Sequence, residues 1–238
     1  MALPEFPGVH RSPNIIDNPA IYEVENLAAD SECLIEEAID NIKPWGGLVL
    51  VDVGAGTGFH AVRFARKAKH VIAVEPVHQL RLAIERRAKE QSASNLSVVA
   101  GSAELTGLDD NSVDIAHARF AYFFGPGCEA GLLEIQRVIR PGGAFFVIDN
   151  DWRHGQFAEW LRLSPAAHYF ASPEVIDDFW ASQGFDVLQI DSGWRFDARA
   201  DLESVVRIEF PSDFADRILA THHGNTVSYS YRLFWRKY

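Results

Sequence analysis

Hydrophobic residues along the chain fall into two rhythms. Short apolar runs at 48–53, 71–75, 96–100, 113–118 and 144–149 read as buried strands. Between them, apolar residues recur three and four positions apart, which reads as helix. One helix is predicted from Asp30 or Ser31, either a suitable N-cap, to Ile42, where Lys43-Pro44 stops it. Its apolar stripe is Leu34, Ile35, Ala38, Ile39 and Ile42. Further helices are predicted over about 57–69, 77–90 and 128–139, and Pro141-Gly142-Gly143 turns the chain into the strand at 144–149. Strands alternating with helices predict an α/β fold with a doubly wound parallel sheet, covered on both faces.

The two ends break this rhythm. Residues 1–25 carry Pro4, Pro7, Pro13 and Pro19 and are predicted to be an irregular arm with a turn of helix near 19–22. Residues 150–171 are aromatic-rich without a strand pattern; they read either as a cover over an acceptor pocket or as ordinary core. A helix at 173–183, a strand at 185–190, a helical stretch at 201–221 and a last strand in VSYSYRLFWRKY complete the chain. Nothing marks a second domain, so 1–238 reads as one, with 26–149 as its binding core and 172–238 as C-terminal helices and strand pair.

Composition narrows the function. With 238 residues, 47% of them hydrophobic, the chain can bury a proper core, and no apolar run approaches the ~20 residues of a membrane helix. The first 19 residues lack a signal-peptide pattern, and Cys33 and Cys128 are too few for a disulfide framework. A cytoplasmic location is therefore expected, with no membrane partner. A net charge of −11 repels phosphate backbones, so nucleic acid is not an expected partner. The basic clusters at 63–69 and 81–89 have helical spacing and read as solvated faces. The oligomeric state is left open.

The informative stretch is VDVGAGTGFH at 51–60, directly behind a predicted strand. Gly54, Gly56 and Gly58 imply a sharp turn that lets a ligand approach bare backbone. A dinucleotide fingerprint would need a third glycine where Phe59 stands. The pattern is G-x-G-x-G instead, with Asp52 before it and Glu75 closing the next strand. At the carboxyl edge of such a sheet, Gly54, Ala55 and Gly56 would lie against a ligand's amino-acid end. Asp52 would hold its ammonium, and the helix beginning near Thr57 would offer N–H groups to its carboxylate. Glu75 would accept hydrogen bonds from vicinal ribose hydroxyls and would repel a 2′-phosphate. Pro76 and Val77 would flank the base.

With RVIRPGGAFFVID at 137–149, this ensemble resembles the class I S-adenosylmethionine-dependent methyltransferases, most strongly over about 26–150. The resemblance implies a seven-stranded sheet of order 3-2-1-4-5-7-6 with the last strand antiparallel. It implies S-adenosyl-L-methionine as cosubstrate, held by Asp52, Gly54, Ala55, Gly56, Gly58, Glu75, Pro76, Ser102, Ala103 and His117. Where the family often has an aspartate for the adenine amino group, this chain has Ser102, with Glu104 two residues on.

The acceptor is less legible. Neither an N-P-P-Y-like run nor a Pro-Cys pair is present, which argues against nucleobase methylation. Asp149-Asn150 resembles half of the metal site of catechol-type O-methyltransferases, but 116–119 read Ala-His-Ala-Arg where a further acid belongs, so no metal is expected. Polar groups near the mouth are His117, Tyr122, Asp149, Asp151 and His154. His154 is the first candidate for a general base and Tyr122 a second catalytic candidate. The resulting expectation is methyl transfer to a small-molecule acceptor. The rival is a noncatalytic protein of the same fold that binds S-adenosylmethionine or S-adenosylhomocysteine, and a nucleotide-dependent oxidoreductase comes third.

Overall fold

The computed structural model describes residues 6–10 and 12–238. The part of the predicted arm at 1–5, Pro4 included, and residue 11 lie outside the described residues. The strands are β1 (Val49–Val53), β2 (His70–Val74), β3 (Leu96–Val99), β4 (Val113–Arg119), β5 (Ile139–Asn150), β6 (Asp186–Arg195) and β7 (Thr226–Lys237). They form one sheet of order β3-β2-β1-β4-β5-β7-β6. β1 to β5 run parallel, while β7 is antiparallel to both β5 and β6, as expected.

Side-chain alternation builds a core on each face of this sheet. Ala144, Phe146 and Ile148 of β5 point to one cluster, which also holds Ile35, Ile39, Phe64 and Ile84 from the helices. Phe145 and Val147 point to the other, with Leu132, Ile135 and Trp180. The helices carrying them are α3 (Leu34–Ile42), α4 (Phe59–Ala65), α5 (His78–Glu90), α6 (Glu129–Val138) and α8 (Pro173–Ser182).

The differences from the sequence reading have physical causes. Residues 6–10 of the arm are irregular as expected, but from Pro13 on it is helical: Pro13 and Pro19 open α1 (Pro13–Asp17) and α2 (Pro19–Ala28). Proline suits a first helical position, where its missing N–H costs nothing. The next helix begins at Leu34, yet Asp30 still caps it, accepting from the Leu34 and Ile35 N–H groups at 3.1 and 3.0 Å. Pro141-Gly142-Gly143 sits inside β5 as an irregularity, since Val113 pairs with Ile139 but Ile115 with Ala144. The stretch at 201–221 breaks at Pro211 into α9 (Arg199–Glu209) and α10 (Ser212–Thr221).

Residues 150–171 hold a regular helix, α7 (Gly155–Leu163). Its Phe157 stacks on Tyr229, with ring centroids 4.1 Å apart, and meets Trp194 at 4.6 Å and Phe210 at 5.7 Å. The middle of this segment is therefore core under the β6–β7 hairpin. Only its flanks, where Trp152 lies 5.1 Å from Phe170, line a cleft, one beside Asp149.

Candidate functional site

The glycine turn follows β1 directly. Gly54, Gly56 and Gly58 all have left-handed backbone, with φ of +72°, +57° and +78°. The N–H groups of Gly54 and Ala55 both donate to the carbonyl of Val74, which ties the turn to the end of β2. A Cβ on Gly54 would sit 2.5 Å from that of Ala121, and one on Gly56 would sit 2.9 Å from Ile15 Cδ1. Gly58 serves packing: its Cβ would meet Ile84 of α5.

Glu75 reaches back from the end of β2. Its carboxylate accepts from the N–H of Gly56 at 2.9 Å and from that of Val77 at 2.9 Å. One side chain thus fixes the turn and the entry to α5. Burial pushes its pKa up to about 7, against the pull of those two N–H groups. Asp52 pairs across β1 and β4 with His117, Nδ1 to Oδ1 at 2.7 Å, both buried. A carboxylate only accepts, so His117 donates from Nδ1.

Beyond the end of β3, Ser102 and Ala103 are buried, and the Ser102 hydroxyl has no hydrogen-bond partner. Such a buried orphan calls for a ligand or water. Pro76 is half-buried, and its carbonyl accepts from Arg81 at 2.6 Å.

Asp52, Gly54, Ala55 and Gly56 share a cavity of about 60 Å³ with Tyr22, Glu25, His60, Arg119, Trp194 and Tyr231. α1 and α2 close it on one side, so the arm is the roof here. A roomier cavity of about 450 Å³ lies beside it, between α1, α2 and α5. We place the site at the smaller one, because the glycine turn and Asp52 open onto it.

The two expected catalytic residues sit elsewhere. Tyr122 has turned onto Glu104, donating to Oε1 at 2.8 Å and accepting from the Gly131 N–H at 3.3 Å. His154, 53% exposed, pairs through Nδ1 with the buried Asp151 at 2.6 Å. Neither lines the cavity with the glycine turn, and His117 lies behind Asp52, between it and the ring of Phe64. The sequence reading missed Glu25, His60, Arg119, Trp194 and Tyr231 as site residues. A cue existed for Arg119, which ends β4 at the carboxyl edge, and for Tyr229 and Tyr231, two apart on one strand face.

Burial leaves a mark on acid–base behaviour. Burial raises Glu75, Asp149 and Glu209 to about 7 each, and raises Glu25 well above its usual value with Glu209 adding to the effect. Between pH 4.5 and 7 the folded chain keeps protons that the unfolded chain has released, so stability falls as pH rises through that window. His60, lowered to about 4 by burial and Arg119, and His222, lowered by burial, act oppositely but are outnumbered. The melting temperature is expected to drop as pH rises from 5 to 7. Asp149→Asn should flatten that slope; an unchanged slope would contradict the assignment.

The comparisons with known proteins agree with this geometry. A family model described as a methyltransferase domain matches residues 51–147. An uncharacterized methyltransferase of Mycobacterium tuberculosis is 36% identical over 128 residues, 53% of this chain and 49% of that protein. The ubiquinone/menaquinone biosynthesis C-methyltransferase UbiE of Methylobacterium nodulans is 35% identical over 104 residues, 42% of this chain and 41% of that protein. This chain spans about half the length of the curated relatives it matches. The YcgJ protein of Bacillus subtilis superposes with a TM-score of 0.63 at 16% identity, covering 87% of this chain and 98% of that one. Sheet order, glycine turn and matches point the same way: residues 51–147 are similar to a methyltransferase domain, and the chain shares the fold of the YcgJ protein.

Proposed function

We propose that this protein transfers a methyl group from S-adenosyl-L-methionine to a small-molecule acceptor. The observation that carries the reading is the single cavity onto which both the glycine turn with Asp52 and an aromatic, partly charged wall open. Gly54, Ala55, Gly56 and Asp52 would hold the amino-acid end of the cosubstrate. Glu75 would hold the ribose, while Pro76, Ser102 and Ala103 would hold the adenine. The cosubstrate supplies a methyl group on a sulfonium. The acceptor's lone pair forms the new bond in line as the carbon–sulfur pair returns to sulfur; a proton on the nucleophile goes to a base or water. The aromatic wall favours a small apolar or ring-bearing acceptor, in keeping with the names of some structural neighbours. A geranyl diphosphate C-methyltransferase of Streptomyces coelicolor superposes with a TM-score of 0.57 at 17% identity, covering 85% of this chain and 77% of that one.

A neighbour named as a [4+2]-cyclase shows that this fold also carries other chemistry, which keeps a binding-only reading in view. Thermal shift and labelled methyl transfer separate the readings. S-adenosylhomocysteine is expected to raise the melting temperature and NAD to leave it unchanged. At 100 times its dissociation constant a ligand adds about 2.7 kcal/mol. Label from S-adenosylmethionine should then appear in a metabolite extract, with or without EDTA. A shift with NAD alone would overturn the cosubstrate assignment, and binding without transfer to any extract would favour the binding-only reading.

A further inference from the structure

The acceptor side of the cavity is built from polar groups that the protein itself does not satisfy. The indole Nε1 of Trp194 and Oε2 of Glu25 are shut off from solvent without a hydrogen-bond partner, the buried hydroxyl of Tyr231 has only the Arg119 guanidinium beside it, and all three residues line this one cavity. A buried polar atom left unpaired is costly, so such atoms gathered at one place mark a ligand's position. Arg119 stands beside them. Its guanidinium lies 5.3 Å from the centroid of the Tyr231 ring and 5.7 Å from that of Phe120. Among the described residues it is ion-paired to no carboxylate, whereas Arg63, Arg87 and Arg137 all are.

The chemistry of these groups has one sign. An indole N–H only donates, a guanidinium only donates and is always charged, and a phenol readily donates. Glu25 is only partly buried as a residue, but its Oε2 is dry; burial and the neighbouring Glu209, against the pull of Arg119, favour its protonated form, in which it too offers an O–H. What complements such a set is an oxygen-rich anion. Two sources present one: the acceptor, or the carboxylate at the methionine end of the cosubstrate. Position favours the acceptor. Tyr231 pairs with Asn150 at the end of β5, so it stands three strands from the glycine turn of β1, roughly 14 Å at the usual strand spacing. Trp194 stands one strand further out on β6.

We infer that this recess binds the acceptor through a carboxylate or equivalent oxyanion carried on a small aromatic body, with Arg119 as counter-ion and Trp194 and Tyr231 as hydrogen-bond donors. This rests on the proposed methyl-transfer reading, and it names the acceptor class for that site. Tyr22, Phe120 and Tyr229 supply the flat apolar walls.

The test is calorimetric titration of the full chain with benzoate and with benzamide, each with and without saturating S-adenosylhomocysteine. Benzoate is expected to bind at least tenfold more tightly than its neutral isostere. Arg119→Leu should remove that preference. Trp194→Phe and Tyr231→Phe, which keep the rings and delete single donors, should weaken benzoate several-fold and benzamide less, because its neutral carbonyl accepts more weakly. Affinities for S-adenosylhomocysteine and for 5′-methylthioadenosine, which lacks the amino-acid end, should stay within about twofold of wild type in all three. Equal binding of acid and amide, or no benzoate binding at millimolar concentration, overturns the inference. So does Arg119→Leu weakening S-adenosylhomocysteine but not 5′-methylthioadenosine, which would give the cation to the cosubstrate's carboxylate. If S-adenosylhomocysteine does not bind at all, the methyl-transfer reading fails by itself, and the acid–amide comparison on the free protein still decides this one.

Discussion

Glu75→Ala is expected to weaken S-adenosylhomocysteine binding by about 10- to 100-fold and to lower the melting temperature of the free protein as well. The affinity loss follows from two charge-assisted hydrogen bonds to the ribose, worth about 1.5–3 kcal/mol when one partner is deleted. The stability loss follows from the free protein. The same carboxylate accepts from Gly56 and Val77, and its removal leaves both N–H groups at the end of β2 without their partner. Sequence alone suggested a ligand contact; the structure adds a brace, because the same carboxylate holds the Gly56 and Val77 N–H groups. Glu75→Gln separates the two roles, because an amide oxygen can still accept from one backbone N–H. It should recover part of the stability and less of the affinity. Calorimetry with S-adenosylhomocysteine checks the first number and a thermal melt the second. Wild-type affinity in Glu75→Ala would remove this residue from the site.

Phe157→Ala is expected to cost about 3–5 kcal/mol of folding stability, read by denaturant unfolding. The ring is 2% exposed, stacks on Tyr229 and touches Trp194 and Phe210, so its loss opens a hole where α7 meets the β6–β7 hairpin. Trp152→Ala, on the flank of the same segment, should cost far less, since Trp152 is half-buried against Phe170. Similar losses in both variants would mean that 150–171 acts as one packed unit.

The centre of the sheet was legible because β1, β4 and β5 are largely buried and read as apolar runs, while Gly54, Gly56 and Glu75 announce the turn beside them. The arm was not, since Pro13 and Pro19 look like loop residues until they are seen to open helices. β6 was read as ending at Ile190 because Asp191, Ser192 and Gly193 look like a turn; in fact they continue the strand and bring Trp194 to the cavity. His154 and Tyr122 were chosen for chemistry near the right strand ends, but local partners, Asp151 and Glu104, hold each of them away from that cavity. Arg119, Glu25 and Tyr231 gain meaning only from what surrounds them in space.

The recess has a further property that follows from where its walls lie in the chain. Asp30, at the end of the N-terminal helices, accepts from Ser192 Oγ, 162 residues away, and Ala29 bridges to Trp194. The stretch that matches the methyltransferase domain, 51–147, contributes the glycine turn and Arg119, whereas Tyr22, Glu25, Trp194 and Tyr231 come from either side of it. Contacts between such distant segments form late, since the chain must close a long loop before they reward it. The recess is therefore complete only once β6 and β7 have joined the sheet. A chain clipped before β7 would lack Tyr231, and with it the wall that faces Arg119 across the recess.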